Sequence, residues 1–185
     1  MSRRSRQNII FLVLGMIGIG LIAIIALVYF KQRHWRGYEN ETAGFGLKYP
    51  PDWSYVDNRN GAAVIFYSPI ETDLDAFQEN FNIVIQNVPL ELTDIDKYTN
   101  KAIEQMKAVF KENFEVVESS PMRINGQMGY KLVFIGKGPE TELKYQSCWF
   151  LVGDTAYQLT YTALASKYDK FITAVNRMVS SFHRL

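Results

Sequence analysis

The sequence predicts an α+β domain behind one transmembrane helix, and three patterns along the chain support this architecture. An apolar run of 23 residues lies near the start, at residues 8–30. Several later runs alternate between apolar and polar residues, with the period of two that is typical of strands with one buried face. Two further segments repeat apolar residues at helical spacing. Because these helices are interspersed among strands that form a meander, we expect an antiparallel β-sheet packed with helices.

The apolar run at residues 8–30 is expected to be an uncleaved membrane anchor. As a helix it would be roughly 34 Å long at about 1.5 Å per residue, enough to cross a hydrocarbon core of ~30 Å. A cleavable signal peptide has an apolar stretch of only about 7–15 residues, followed by small residues. This run is longer and ends at Lys31. The lipid bilayer is therefore the first expected partner of the chain.

The charges divide the chain into a basic tail at residues 1–7, the anchor, a basic collar and stalk at residues 31–43, and a domain at residues 44–185. The six Lys and Arg residues beside the anchor come with no acidic residue, whereas residues 37–185 carry 14 basic and 19 acidic residues. The collar can bind anionic headgroups. The acidic domain offers no positive stripe for phosphates, which argues against nucleic acid as a partner.

Orientation depends on a small difference in charge, because basic residues lie on both sides of the anchor. The N-terminal amine adds one positive charge before the anchor and favours a cytoplasmic N-terminus. Long domains cross a membrane largely regardless of their own charge. We therefore expect a single-pass membrane protein whose C-terminal domain is exported.

The first half of the domain contains three predicted strands and a helix. The strands lie at residues 45–49, 62–67 and 81–88, and all are rich in aromatic or β-branched residues. The first strand stops at a Pro-Pro turn, after which residues 52–53 re-enter the fold. A polar stalk is predicted at residues 37–43, before these strands. The helix is predicted at residues 95–110, after them.

Two residues near that helix are placed as an N-terminal capping pair, Thr93 and Asp96. A second helix is predicted at residues 167–182, where apolar residues again form one stripe. The Asn125-Gly126 dipeptide predicts a type I′ hairpin. The remaining strands are predicted at residues 114–118, 122–124, 128–135, 143–152 and 155–164.

The last of these strands has two chemically different faces. Tyr157 and Tyr161 point to one side, whereas Gln158, Thr160 and Thr162 point to the other. This pattern predicts a sheet with one face on a core and one face partly in contact with water.

The residues FGLKYPPDW, at positions 45–53, resemble the opening strand and Pro-x-x-Trp turn of PsbP-like domains, and the order of elements matches over about residues 43–185. This family includes the lumenal PsbP subunit of the oxygen-evolving photosystem and cell-envelope proteins of the DcrB and LpqN types. The resemblance implies an α+β fold, no catalytic activity and a place outside the cytoplasm. Histidine-based metal sites of photosystem PsbP have no counterpart here, because the only histidines are His34 and His183. Several relatives are held at the membrane by a lipidated cysteine, whereas this chain is expected to use the helical anchor.

A catalytic site is not expected. Cys148 is the only cysteine and lies in the middle of a predicted strand. His34 lies just after the predicted anchor, and His183 lies near the C-terminus. A nucleophile needs a base within reach, so a buried structural cysteine is the better interpretation. We therefore expect no enzyme, no catalytic residue and no cofactor.

An acidic loop supplies weak candidates for metal ligands, namely Glu71, Asp73 and Asp75. Their oxygens could bind Ca²⁺, but the loop lacks the glycine and the distant glutamate of an EF-hand. A solvated acidic loop is therefore the better interpretation.

Aromatic residues make up 14% of the chain, and many lie on the predicted meander. Most are expected to fill the core. Four of them could instead form a partner or ligand surface: Tyr145, Trp149, Tyr157 and Tyr161.

Together these observations predict a membrane-anchored, non-catalytic protein. The leading hypothesis is an accessory, assembly or stability factor for a membrane complex, with a membrane protein as its partner. The alternative is a binding module that holds a small apolar or lipidic ligand near the membrane surface.

Overall fold

The computed structural model describes residues 35–72, 77–137 and 141–185. The predicted tail, the anchor at residues 8–30 and the first part of the collar lie outside these residues, as do Asp73 and Asp75. Residues 37–185 make one compact unit. Within the described residues, no helix is both long enough and apolar enough to span a bilayer.

The domain is an α+β fold in which two antiparallel sheets pack with two helices. The strands before the first helix are β1 (Arg36–Asn40), β2 (Phe45–Tyr49), β3 (Ser54–Arg59), β4 (Ala62–Tyr67) and β5 (Asn80–Asn87). The remaining elements are α1 (Ile95–Phe110), β6 (Phe114–Ile124), β7 (Gln127–Lys137), β8 (Glu142–Val152), β9 (Thr155–Leu164), α2 (Tyr168–Ser181) and β10 (His183–Arg184). Short 3-10 turns at Leu90–Leu92 and Lys111–Asn113 flank α1.

A seven-stranded antiparallel sheet forms the centre, with the strand order β3-β4-β5-β9-β8-β7-β6. The predicted meander is confirmed as β7, β8 and β9, and the Asn125-Gly126 turn has positive φ at both residues, 49° and 76°. The two strands predicted at residues 114–118 and 122–124 are one continuous strand, β6, with an irregular register between Val116 and Glu118. The interruption was predicted at residues 119–121, where Ser-Ser-Pro is typical of a turn, but a proline is tolerated on an edge strand, and β6 is an edge strand of this sheet.

A second sheet of three strands has the order β1-β2-β10. The prediction of a polar stalk at residues 37–43 is wrong for β1, because Tyr38 is 6% exposed. Its ring lies edge-on to Phe66 at 5.3 Å, and its hydroxyl donates to Asp57 Oδ1 at 2.6 Å. Burial of a single aromatic side chain is thus enough to place an otherwise polar segment in the fold.

Helix α1 packs on one face of the large sheet. The indole Nε1 of Trp149 donates to Thr99 Oγ1 at 2.9 Å, and both residues are buried. The cap of this helix is Asp94, whose carboxylate accepts from the backbone N–H groups of Asp96 and Lys97. The predicted pair of Thr93 and Asp96 is therefore wrong by one residue, although the helix bounds are confirmed.

Helix α2 and the small sheet pack on the opposite face of the large sheet. Phe182, directly after α2, stacks on Phe45 of β2 at 5.5 Å and lies edge-on to Phe150 of β8. Trp53 meets Phe171 of α2 edge-on at 5.6 Å. Each face of the sheet is therefore covered in part, and each helix stabilises the domain by burying aromatic surface.

Candidate functional site

The two helices cover different halves of the large sheet. Helix α1 contacts β6 and β7 on its face, whereas α2 contacts β9 and β2 on the other face. The small sheet extends the second layer, since Tyr38 and Tyr49 pack on Phe66 of β4. Among the residues that the structure describes, each face of the sheet consequently has one half covered by a helix or the small sheet and one open half, and the open halves lie at opposite edges. These open halves are the candidate surfaces for function.

The open half on the α1 side is formed by β3, β4, β5 and β9, and we call it the uncharged face. Directly opposite residues of antiparallel strands point to the same side, so the register identifies its members. They are Ser54, Val56, Ile65, Tyr67, Asn80, Asn82, Val84, Gln86, Ala156, Gln158, Thr160 and Thr162. Ile65 and Ala156 are buried, and the others are partly or fully exposed. None of them carries a charge, in a chain of which 21% is charged.

Side chains on the uncharged face fall into two groups by hydrogen bonding. Ser147, whose side chain lies next to the face under α1, shares a hydrogen bond of 2.9 Å with Thr160 and accepts one from Gln158 at 3.1 Å. Tyr67, Asn82 and Thr162 are partly exposed, and their side chains make no hydrogen bond with any described residue. The first group holds the face rigid, and the second group offers donors and acceptors to an incoming molecule.

The other open half, formed by β6 and β7 on the α2 side, is chemically different, and we call it the charged face. Lys131 Nζ lies 2.5 Å from Glu118 Oε1, and Lys137 lies 3.5 Å from Glu115. The hydrogen bond from Lys131 lowers the pKa of the Glu118 carboxyl. Such exposed ion pairs are well solvated and contribute little to stability or binding. Compared with the charged face, the uncharged face is depleted of charged residues. Such depletion is typical of the core of a protein interface.

The four aromatic residues proposed as a surface do not form one. Tyr145 and Trp149 point to the α1 side, whereas Tyr157 and Tyr161 point to the α2 side. Trp149 and Tyr161 are fully buried and Tyr157 is 8% exposed. The prediction is wrong because alternate residues of a strand point to opposite faces, and here both faces are covered at these positions.

The aromatic rings pack on one another instead of lining a groove. Tyr145, which is half-buried, stacks on Phe134 with ring centroids 4.6 Å apart. Tyr157 stacks on Phe150 at 4.9 Å. The aromatic groove required by the ligand-binding alternative is therefore not formed by these residues.

Among the candidate metal ligands, only Glu71 lies within the described residues. Its carboxylate lies 2.6 Å from Lys170 Nζ and 3.5 Å from Lys167 Nζ. The hydrogen bond from Lys170 lowers the pKa of Glu71. Across the described ranges, no group of three Asp, Glu, His or Cys side chains is arranged to hold a metal ion.

Cys148 is 1% exposed, which confirms the prediction of a buried strand cysteine. Burial raises the pKa of its thiol to about 12, so the thiol is protonated at neutral pH. His183 is exposed, and its Nδ1 lies 3.1 Å from the Ser181 carbonyl oxygen. A thiol in this state is not an activated nucleophile.

Part of the uncharged face was visible in the sequence, since the polar side of β9 was predicted to be partly wet. Asn80 and Asn82 were missed, although the alternation of residues 80–86, NFNIVIQ, contains the same signal. Tyr67 could not be added from the sequence, because its place beside β5 and β9 depends on strand order.

The fold defines an α+β domain in which one helix packs on each face of an antiparallel sheet. The PsbP family model matches residues 33–184, and the chain belongs to the PsbP family. This confirms the resemblance carried by residues 45–53. Proteins of this family are generally non-catalytic.

Several solved structures share the fold at low sequence identity. CyanoP, the cyanobacterial PsbP of Synechocystis sp. PCC 6803, is 20% identical with a TM-score of 0.58, over 81% of this chain and 92% of that chain. LpqN of Mycobacterium tuberculosis, described as involved in cell envelope biogenesis, is 15% identical with a TM-score of 0.58, over 83% and 93%. The Saccharomyces cerevisiae Ran-binding protein Mog1p is 9% identical with a TM-score of 0.58, over 82% and 95%. No curated protein matches the chain.

Proposed function

We propose that this PsbP-family protein is a membrane-anchored accessory or assembly factor, which binds a protein of a membrane complex through the uncharged face. The main support for the proposal is that the uncharged face has no charged side chain across four adjacent strands. Three of its polar side chains make no hydrogen bond with any described residue. Residues 8–30 are proposed to hold the chain in the bilayer, with the N-terminus in the cytoplasm and the domain exported. A shared membrane raises the effective concentration of the partner.

The chemistry of the face defines the chemistry of the partner. Burying an ionised side chain against a surface without a counter-charge is costly, so the partner surface must also be poor in charge. It must offer amide, hydroxyl or backbone groups to Tyr67, Asn82 and Thr162. Matched hydrogen bonds of this kind give specificity, since an unmatched buried donor costs more than a matched one contributes.

The size of the face indicates that the contact extends beyond it. With strands about 4.8 Å apart and a rise of about 3.3 Å per residue, the face covers roughly 300–400 Å². A standard interface buries about 800 Å² on each partner, which is roughly twice that area. Additional surface next to the uncharged face must therefore contribute.

The proposal is tested by placing a charge on the face. Full-length protein with a C-terminal tag is purified in gentle detergent from native membranes, as wild type and as Asn82→Arg and Thr162→Arg. A stoichiometric partner should accompany the wild type and be lost from both variants, because each buries an unpaired guanidinium. Circular dichroism on each variant shows whether the fold is intact.

Ser120→Arg is the matched control, because Ser120 is also partly exposed on a strand but lies on the charged face. It should retain the partner as the wild type does. Two results would contradict the proposal: a wild-type protein that leaves the membrane as a lone monomer, or face variants that keep the partner at the wild-type level.

A further inference from the structure

A groove of about 260 Å³ lies at one end of the uncharged face, and we call it the end groove. It is bounded by the end of β5, the turn at Leu90–Leu92 and the first half of α1. Gln86 belongs both to the uncharged face and to the edge of the groove, so the two surfaces are continuous. The apolar wall of the groove consists of Val88, Pro89, Leu92 and Ala102.

The polar lining of the groove includes a hydrogen-bonded pair, Tyr98 and Gln86, beside Asn87, Lys101 and Gln105. Tyr98 is 6% exposed, and Gln86 Nε2 donates to its hydroxyl oxygen at 3.3 Å. In this arrangement the phenol proton has no acceptor among the described residues. If the Gln86 amide is turned over, the phenol donates to Oε1 and the amide N–H groups become the open donors. In either case the pair offers a donor to an oxygen that enters the groove.

The rim of the groove is nearly neutral. Lys101 pairs with Glu104 at 2.9 Å, so its charge is already matched. Leu90, in the same turn as Leu92, is 83% exposed. Leu90 lies outside the groove lining, but its position in this turn makes it a suitable place for a cross-linking probe.

We infer that the end groove is the anchor pocket of the interface, where one apolar side chain of the partner packs against Val88, Leu92 and Ala102. A neighbouring backbone carbonyl of the partner accepts the hydrogen bond offered by the pair of Tyr98 and Gln86. This inference rests on the proposed function, and it identifies the end groove as the surface onto which the partner contact extends beyond the uncharged face.

The size and lining of the groove favour a protein side chain over a small molecule or a lipid chain. Small-molecule sites are usually about 300–1,000 Å³ and enclose most of the ligand. The end groove is smaller and open. It has one apolar wall, and its polar lining consists of the pair of Tyr98 and Gln86 together with Asn87, Lys101 and Gln105. A pocket that receives one side chain next to a larger neutral contact is the usual arrangement of an interface hot spot.

Two variants of the full-length protein test the groove, with the purified wild-type complex as the probe. Ala102→Phe fills the groove, and Tyr98→Phe removes only the hydroxyl. Ala108→Phe, an exposed position further along α1, is the matched control. The rate at which the partner dissociates from the immobilised, tagged protein should rise at least tenfold for Ala102→Phe, as for a hot spot. It should rise about threefold to tenfold for Tyr98→Phe, as for one hydrogen bond, and stay unchanged for Ala108→Phe.

A photo-cross-linking amino acid adds a readout that does not depend on affinity. Placed at Leu90 in native membranes, it should form an adduct with the co-purifying partner. At Val109, which is 74% exposed on α1 outside the groove lining, it should not.

The outcomes separate this inference from the proposed function. If Thr162→Arg loses the partner while Ala102→Phe and Tyr98→Phe keep wild-type dissociation rates, the uncharged face binds the partner and the inference about the groove is overturned. A lipid adduct at Leu90, or equal adducts at Leu90 and Val109, also overturns it. A wild type without any stoichiometric partner overturns the proposed function and the inference together.

Discussion

Glu79 is a carboxylate with no exposed surface, directly before β5. Its Oε2 accepts from Ser68 Oγ at a long 3.4 Å, and its Oε1 has no hydrogen-bond partner among the described residues. Burying an unpaired polar oxygen is costly. Glu79→Gln keeps the shape and still leaves one polar atom unpaired, but it removes the formal charge, and a buried unpaired charge costs more than a buried unpaired amide. We therefore expect the free energy of unfolding at pH 7 to rise by about 1 kcal/mol in urea titrations.

Glu79→Ala is the companion variant, because it removes the same charge and also leaves a cavity. It should be less stable than Glu79→Gln by the cost of the lost packing. If Glu79→Gln proves less stable than the wild type, the carboxylate oxygen has a favourable partner and this argument is wrong.

At the scale of single elements, helix α1 depends on a cap that the sequence pattern placed one residue away. The Asp94 carboxylate accepts from two backbone N–H groups in the first turn, at 3.1 and 3.0 Å. Asp94→Ala should lower the free energy of unfolding by about 1 kcal/mol, while Asp94→Asn should lose only a few tenths because Asn caps nearly as well. Thermal and urea unfolding measure both. Equal losses for Ala and Asn would show that charge at this position, and not capping geometry, is what stabilises the helix.

The elements that the sequence predicted well are those with a buried face. Strands β5 and β9 place large apolar residues on every second position, and burial of those residues makes the alternation visible. Strands β4 and β8 contain runs of consecutive buried apolar residues, which are also typical of strands. Strand β3 is exposed throughout, and β1 buries mainly Tyr38, so neither has an alternation to read. Polar edge strands owe their place to neighbours far along the chain, and local pattern does not contain that information.

At the scale of the whole molecule, the candidate site was only half predictable for the same reason. The polar side of β9 could be read from residues 158–162, but the face also requires β5 beside β9, where Asn82 pairs with Thr160. The aromatic prediction was wrong because a single strand does not show that both faces of the sheet are covered. Strand order and layer order are properties of the complete chain, so they become visible only in the structure.

The boundary of the domain is the last property that belongs to the whole chain, and it can be tested by truncation. Residues 35–185 contain β1, whereas residues 44–185, the domain predicted from the sequence, do not. Loss of β1 removes Tyr38, its aromatic contacts with Phe45, Tyr55 and Phe66, and its hydrogen bond to Asp57.

Burial of one large side chain contributes about 1.5–3 kcal/mol, so the shorter chain should be less stable by at least that amount in urea unfolding. Tyr38→Phe in the longer chain is the control, since it keeps the ring and loses only the hydroxyl bond, for about 0.5–1.5 kcal/mol. Equal stability of the two truncated chains would show that β1 is not part of the folding unit and that the predicted boundary at residue 44 is correct.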